Sequence, residues 1–258
     1  MRGTLITELK GRLVILSGPS CVGKSPLSRA LGKFHPEWSG RLRGLVLYNC
    51  RDPRPGERDG IDYHFRTRSQ IEALRSNARY AVLDVRGDLQ ALDLEALQAL
   101  LAQSDVFFEG NPFVGVTLLE HPGLAGIKRL AIFLSPLSKD EITYLKAPER
   151  NLSLKDFVAE VMRRKLLRRA RRHKGELSAK DLDNIERRAA SAYGEMQEAW
   201  KFDYVIANHD GEDSDNWEAF YHPIGDARKS LKAFVALLEG AVPAEAEKWD
   251  AGLLPRLS

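Results

Sequence analysis

Cysteine is scarce in this sequence: two in 258 residues, Cys21 and Cys50, with no C-x-x-C pair. That excludes a disulfide scaffold and a thiolate metal site, and it fits a reducing cytoplasm. Long apolar runs are missing too, and none approaches the length that spans a bilayer, so no membrane role is expected. Residues 1–10 carry charge and no apolar core, which does not read as a secretory leader. The net charge of +3 is too small to argue for a nucleic-acid partner by itself. There is no internal repeat and no low-complexity linker. What remains is 43% hydrophobic and 29% charged, a globular composition, in a chain long enough for one full core with or without insertions.

The elements alternate. The apolar run at 13–17 predicts a buried strand, followed by a helix over 24–34. A second strand is expected at 45–48, then a loop over 49–62 rich in Pro, Gly and Arg. Strands are expected at 80–85, 105–108, 130–134 and 204–207. Helices are expected at 92–102, 154–172, 179–200 and 226–238, and residues 240–258 read as a loosely docked tail. Strands alternating with helices predict an α/β fold around a parallel sheet.

Chemistry enters at Gly18-Pro19-Ser20-Cys21-Val22-Gly23-Lys24-Ser25, which fits the phosphate-binding pattern G-x-x-x-x-G-K-[ST] between a strand and a helix. Glycines let the backbone curl so that N–H groups point at phosphate oxygens, and the helix N-terminus favours anions. Lys24 is the charge for the β/γ-phosphates and Ser25 the hydroxyl for Mg²⁺, so ATP and Mg²⁺ are the expected cofactors. The basic run at 163–174 has three readings: a solvated helix face, a nucleic-acid or anionic-membrane contact, or arginines that close over phosphates.

Two further segments resemble the guanylate kinase family. The run Asn49-Cys50-Arg51-Asp52-Pro53-Arg54-Pro55-Gly56-Glu57 through Asp62-Tyr63-His64-Phe65 is similar to the family's T-T-R-x-P-R-x-G-E-x-x-G-x-D-Y-x-F. Asp203-Tyr204-Val205-Ile206-Ala207-Asn208-His209-Asp210 is similar to its D-Y-V-I-x-N-D-D. The resemblance covers about residues 12–210. It implies a P-loop NTPase-type parallel sheet flanked by helices, with an acceptor-binding insertion (about 48–92) and a helical, arginine-rich lid (about 141–188). The whole would be one domain over 1–240, with core segments at about 12–47, 93–140 and 200–240, followed by a tail over 241–258. It implies that Arg51, Arg54 and Tyr63 hold the phosphate of a nucleoside monophosphate, a good dianion clamp of two guanidinium forks and a phenol. Lid arginines matching Arg168, Arg172 and Arg188 would neutralise the transferring phosphoryl group. Glu109, at a strand end, matches acidic residues that orient Mg²⁺ through water beside the acceptor. Asn208 matches the residue beside the adenine of ATP.

The sequence also departs from the family. Cys21 stands where glycine is usual in the loop, and Pro26 removes a backbone N–H that generally reaches the α-phosphate. With Gly87 as anchor, the guanine-reading glutamate becomes Ala81 and the phosphate-binding tyrosine becomes Gln90, while the serine four positions before Arg51 becomes Leu47. Asp84 or Asp88 is left to take over base reading. The expectation is therefore an ATP-dependent phosphotransferase of the guanylate kinase type, with GMP as default acceptor. The alternatives are another nucleotide or a phosphosugar as acceptor, or a non-catalytic binding module of the same fold.

Overall fold

The computed structural model describes residues 10–53 and 56–254. In chain order the elements are β1 (Leu13–Ser17), α1 (Lys24–Phe34), α2 (Pro36–Ser39), β2 (Leu42–Gly44), β3 (Tyr48–Asn49), β4 (His64–Phe65), α3 (Arg68–Ala73), β5 (Tyr80–Val85) and β6 (Asp88–Asp93). Then follow α4 (Leu94–Leu101), β7 (Asp105–Gly110), α5 (Pro112–Glu120), β8 (Arg129–Ser135), α6 (Lys139–Leu145), α7 (Leu154–Lys174), α8 (Ala179–Met196), β9 (Tyr204–Ala207), α9 (Gly225–Leu238) and β10 (Ala246–Glu247). The larger sheet has the order β10-β9-β8-β1-β7-β2 and the smaller one β4-β3-β6-β5. β2 with β7 and β8 with β9 are parallel pairs. β1 is Leu-Val-Ile-Leu-Ser with every residue buried, the unbroken apolar run that a parallel strand covered on both faces requires.

The chain forms two compact units. Among the described residues the first takes 10–15, 41–108 and 117–130, and the second takes 16–40, 109–116 and 131–254. These boundaries cut across the single domain expected over 1–240, because the strands at 13–17, 105–110 and 129–135 each contribute residues to both.

In the first unit, β5 and β6 form a hairpin whose two turn residues, Arg86 and Gly87, have φ of 57° and 87°. Two positive-φ residues are what a tight hairpin turn matching the strand twist demands. Asp84 Oδ1 accepts the Gly87 N–H at 2.9 Å and so closes this turn. One face of the small sheet packs Leu89 and Ala91, with Tyr48, Cys50 and Val82, around Ile71 of α3.

In the second unit, α7 and α8 pack as an antiparallel pair. Ser153 caps α7 by accepting the Asp156 N–H, and Ser178 with Asp181 forms a capping box on α8. Arg163 ties the two helices through Glu186 at 2.7 Å. α9 packs on α1 and β9.

Four expectations need correcting. The strand expected at 45–48 is instead two short strands, 42–44 and 48–49, and the helix expected from 92 begins at 94 because β6 precedes it. Helices α2, α3, α5 and α6 were not foreseen. The tail is not loose: β10 adds to β9 antiparallel, Trp249, Leu253 and Leu254 are buried, and Lys146 Nζ donates to the Leu253 carbonyl at 2.7 Å. Residues 255–258 lie outside the described residues.

Candidate active site

In the second unit the loop after β1 curls through three positive φ values: 150° at Gly18, 67° at Cys21 and 107° at Gly23. Cys21 thus adopts the left-handed conformation natural to glycine, at a cost of about 1–2 kcal/mol. A Cβ at Gly23 would collide with the Asn208 amide and come within 2.9 Å of the Asp210 carbonyl. Lys24 is buried, and its Nζ donates to the Gly18 and Pro19 carbonyls, both at 2.8 Å. The loop therefore stores its own cation at the spot where phosphate oxygens would replace those carbonyls. Ser25 Oγ donates to Glu109 Oε1 at 2.7 Å, and Ser28 Oγ donates to Glu109 Oε2 at 2.6 Å. Ser25 and Ser28 lie three residues apart and so share a helix face. Ser28 was missed in the sequence, although that spacing from Ser25 is readable there. A carboxylate touching the Ser25 hydroxyl is a hard, all-oxygen neighbourhood that suits Mg²⁺.

Asn208 is wholly buried. Its Nδ2 donates to the Val22 carbonyl at 2.7 Å and the Asp210 carbonyl at 2.8 Å, and its Oδ1 accepts the Asp210 N–H at 3.2 Å. It is a strut between the phosphate loop and the segment after β9, where the resemblance implied contact with a base. Asp210 organises that segment. It accepts from Ser214 Oγ, Asn216 Nδ2 and the Ala227 N–H at 2.8, 2.9 and 3.0 Å. Burial opposes its ionisation, but these bonds prevail and hold its carboxyl below the ordinary range. Burial, with help from Glu212 and Asp213, pushes the Cys21 thiol up to about 12, so it stays a neutral thiol.

The lid arginines meet acids of the same segment. Arg168 pairs with Asp213 at 3.4 Å, Arg172 with Asp215 at 3.0 Å and Arg169 with Glu212 at 2.7 Å. Lys165 reaches Asp213 at 3.7 Å. Arg168 and Arg172 are thus brought to one acidic stretch, together with Lys165 and Arg169, which the sequence reading did not single out. The run Glu212-Asp213-Ser214-Asp215 was the available signal. Arg188 of α8 is half-buried, and its charge acts on Cys21. His209 links Asp226 at 2.5 Å and Glu141 at 2.9 Å. Burial disfavours the imidazolium, but these two carboxylates outweigh it and raise its pKa.

In the first unit, Arg51 makes a bidentate pair with Glu57, 2.7 Å at both prongs. Its guanidinium lies 5.0 Å over the Tyr63 ring and 5.6 Å over the Phe65 ring. Arg51 and Tyr63 are therefore together, while Arg54 lies outside the described residues. Leu47 is buried. Asp84 is exposed and committed to its turn, which removes it as a base reader.

A guanylate kinase family model matches residues 10–92. A guanylate kinase of Synechococcus sp. (strain JA-3-3Ab) is 33% identical over 227 residues, which cover 83% of each chain. The chain belongs to the guanylate kinase family. A guanylate kinase of Rhodococcus jostii (strain RHA1) is 31% identical over 78% of this chain and 82% of its own. The crystal structure of guanylate kinase from Anaplasma phagocytophilum matches the fold with a TM-score of 0.53 at 18% identity, covering 89% of this chain and 85% of that one. The α/β architecture with a mostly parallel central sheet is therefore the guanylate kinase fold. Among the described residues no helix is long and apolar enough to cross a membrane.

Proposed function

We propose that this chain is an ATP-dependent nucleoside monophosphate kinase that transfers the γ-phosphoryl of Mg·ATP to GMP, working in the cytoplasm. The observation that carries this reading is the intact donor machinery, with Lys24 held at the phosphate loop and Ser25 fixed on Glu109. A binding module would have no need to hold these groups in place.

Bound Mg·ATP supplies an electrophilic phosphorus whose charge the metal has partly neutralised. The chain's own residues do the rest. Lys24 exchanges its two carbonyl partners for phosphate oxygens. Ser25 Oγ would hold the metal, with Glu109 beside it ordering the water around it. Arg51 and Tyr63, with Arg54 as the third expected member, orient the acceptor phosphate. Arg168, Arg172 and Arg188 are the candidates that answer the charge on the moving phosphoryl group. Catalysis is positioning plus charge neutralisation, with no covalent enzyme intermediate. Asn208 acts on ATP through the loop it braces.

The test is ADP release in a coupled assay with GMP, AMP, CMP and UMP as acceptors. Turnover that depends on a nucleoside monophosphate is expected, and Lys24→Ala abolishes it while the thermal melt is kept. A folded protein that forms ADP with none of them refutes the reading.

A further inference from the structure

The first unit holds two carboxamides whose hydrogen-bonding capacity the described residues do not exhaust. The antiparallel pairing of β3 with β6 sets Asn49 directly opposite Gln90. Residues so paired share a face of the sheet, with Cβ atoms about 5 Å apart. Asn49 is 1% exposed and Gln90 is 9% exposed. Asn49 Oδ1 accepts the Arg51 N–H at 3.1 Å, yet Nδ2 has no hydrogen-bond partner among the described residues. Gln90 makes no side-chain hydrogen bond among them either, and its amide, unlike Asn49 Nδ2, is not sealed from solvent. Buried polar groups without partners are rare enough to need an explanation.

Their neighbours supply one. Phe65 pairs with Asn49 across β4, and Leu83 pairs with Gln90 across β5, so these four side chains share a face. Arg51 lies over the Phe65 ring, which puts the phosphate clamp on the same face. The opposite face is the apolar packing around Ile71. With Asp88, two residues before Gln90 and on the same face, the two amides are the polar groups of this face of the small sheet, in a unit where Leu47 and Ala81 replace the family's base-reading serine and glutamate.

We propose that the Asn49–Gln90 pair is this chain's acceptor-recognition element, and that it reads a purine nucleoside monophosphate through N1 and the 6-substituent. The proposal rests on the kinase reading above. A carboxamide presents one acceptor and one donor side by side. That edge matches the N1–H and O6 of guanine and of hypoxanthine alike. Turned over, it matches the N6–H₂ and N1 of adenine. A carboxylate has acceptors only, so it takes the N1–H and N2–H₂ of guanine and discriminates. Gln90 supplies the reversible edge, and Asn49 Nδ2 donates to an oxygen of the acceptor. The consequence is a relaxed purine site, with GMP and IMP used within about tenfold of each other and AMP within about 10²-fold.

The experiment measures kcat/KM for GMP, IMP and AMP in parallel with calorimetric binding of GMP and IMP without ATP, so that acceptor recognition is read independently of turnover. Gln90→Leu is expected to weaken GMP and IMP binding at least tenfold each, with ATP affinity unchanged. Gln90→Glu is expected to raise the GMP-to-IMP ratio at least tenfold, a gain that a merely structural role would not produce. Asn49→Asp keeps the acceptor for the Arg51 N–H, deletes the donor, and is expected to weaken both nucleotides. Acceptor binding within twofold of wild type in folded Gln90→Leu and Asn49→Asp variants overturns the proposal. So does a wild-type preference for GMP over IMP above about 10³-fold. Gln90-dependent nucleotide binding without turnover would sustain it while refuting the kinase reading.

Discussion

Replacing Asn208 by alanine separates two roles for one residue. The Asn208 side chain makes three hydrogen bonds, all inside the protein, and the residue is wholly buried. Truncation strands the Val22 carbonyl and the Asp210 N–H. The Asp210 carbonyl keeps the Trp217 Nε1 donor at 2.7 Å and is not stranded. Two orphaned buried groups at about 1–2 kcal/mol each cost about 2–4 kcal/mol. For a chain of this size that lowers Tm by about 4–8 °C. The loop that loses its brace must then be ordered by the nucleotide, so ATP KM rises while GMP KM holds. The assays are a thermal melt and initial rates with each substrate varied in turn, with ATP and GTP compared as donors. A melt within about a degree of wild type, together with weaker ATP binding and lost preference for adenine, would refute the strut and restore direct contact with the base. Asn208→Asp is the sharper control, because it sets carboxylate oxygens against two carbonyl oxygens and should be at least as damaging as alanine.

Arg51→Ala is expected to raise GMP KM and lower kcat, at about 2–4 kcal/mol of transition-state stabilisation, with ATP KM unchanged; equal damage to both substrates would move Arg51 out of the acceptor clamp. Pro26 is the third residue of α1, and the first helical bond runs from the Leu27 N–H to the Gly23 carbonyl at 3.1 Å, so proline costs the helix nothing. Pro26→Thr adds an N–H that only a phosphate can answer, so calorimetry should show ATP binding tighter by about 0.5–1.5 kcal/mol, and unchanged affinity would refute the missing contact. His209 has a raised pKa in the fold, so its stabilisation is complete below the unfolded value and fades as pH climbs through the folded one. The Tm gap between wild type and His209→Gln should therefore be widest near about pH 6 and narrow toward about pH 9; a gap independent of pH would show that His209 acts by packing alone.

The parts of the fold legible in the sequence were those where local and global signals agree. β1, α1 and β9 fall where an apolar run, a glycine-rich turn and an amphipathic stretch place them. β6 was lost because Leu89 and Leu92 sit three residues apart and extend the periodicity of α4 backward. Arg86-Gly87, a turn needing two positive φ values, was the overlooked punctuation. α5, with Val114, Val116 and Thr117, carries β-branched residues and is helical through its tertiary setting rather than its propensity. The phosphate loop and the Arg51–Tyr63 pairing were legible because their chemistry is local. The bracing bonds of Asn208 and the placement of Gln90 opposite Asn49 were not, since they depend on a partner 186 residues away along the chain in one case and on cross-strand register in the other.

The basic run of α7 shows how pairing decides between readings that composition leaves open. Within it, Lys165, Arg168, Arg169 and Arg172 face Glu212, Asp213 and Asp215, while Arg163 and Arg164 meet Glu160 and Lys174 meets Asp181. A helix whose cations are answered this fully presents little bare charge for a nucleic-acid backbone. The same pairs remain compatible with a lid. Arg168 is 64% exposed at its side chain while its partner Asp213 is 3% exposed, so the pair joins a solvated cation to a buried acid. The Arg172–Asp215 pair is exposed on both sides and is worth about 0–1 kcal/mol, and a triphosphate carries more charge than the one carboxylate it displaces there. Exchanging Asp215 for phosphate oxygens therefore needs little driving force, whereas the buried Asp213 would be left to Lys165, 3.7 Å away. The pairs hold Arg168 and Arg172 on the acidic segment after β9, so an arginine that closed over a triphosphate would have to leave its carboxylate first, and Arg172 would do so at the lower cost.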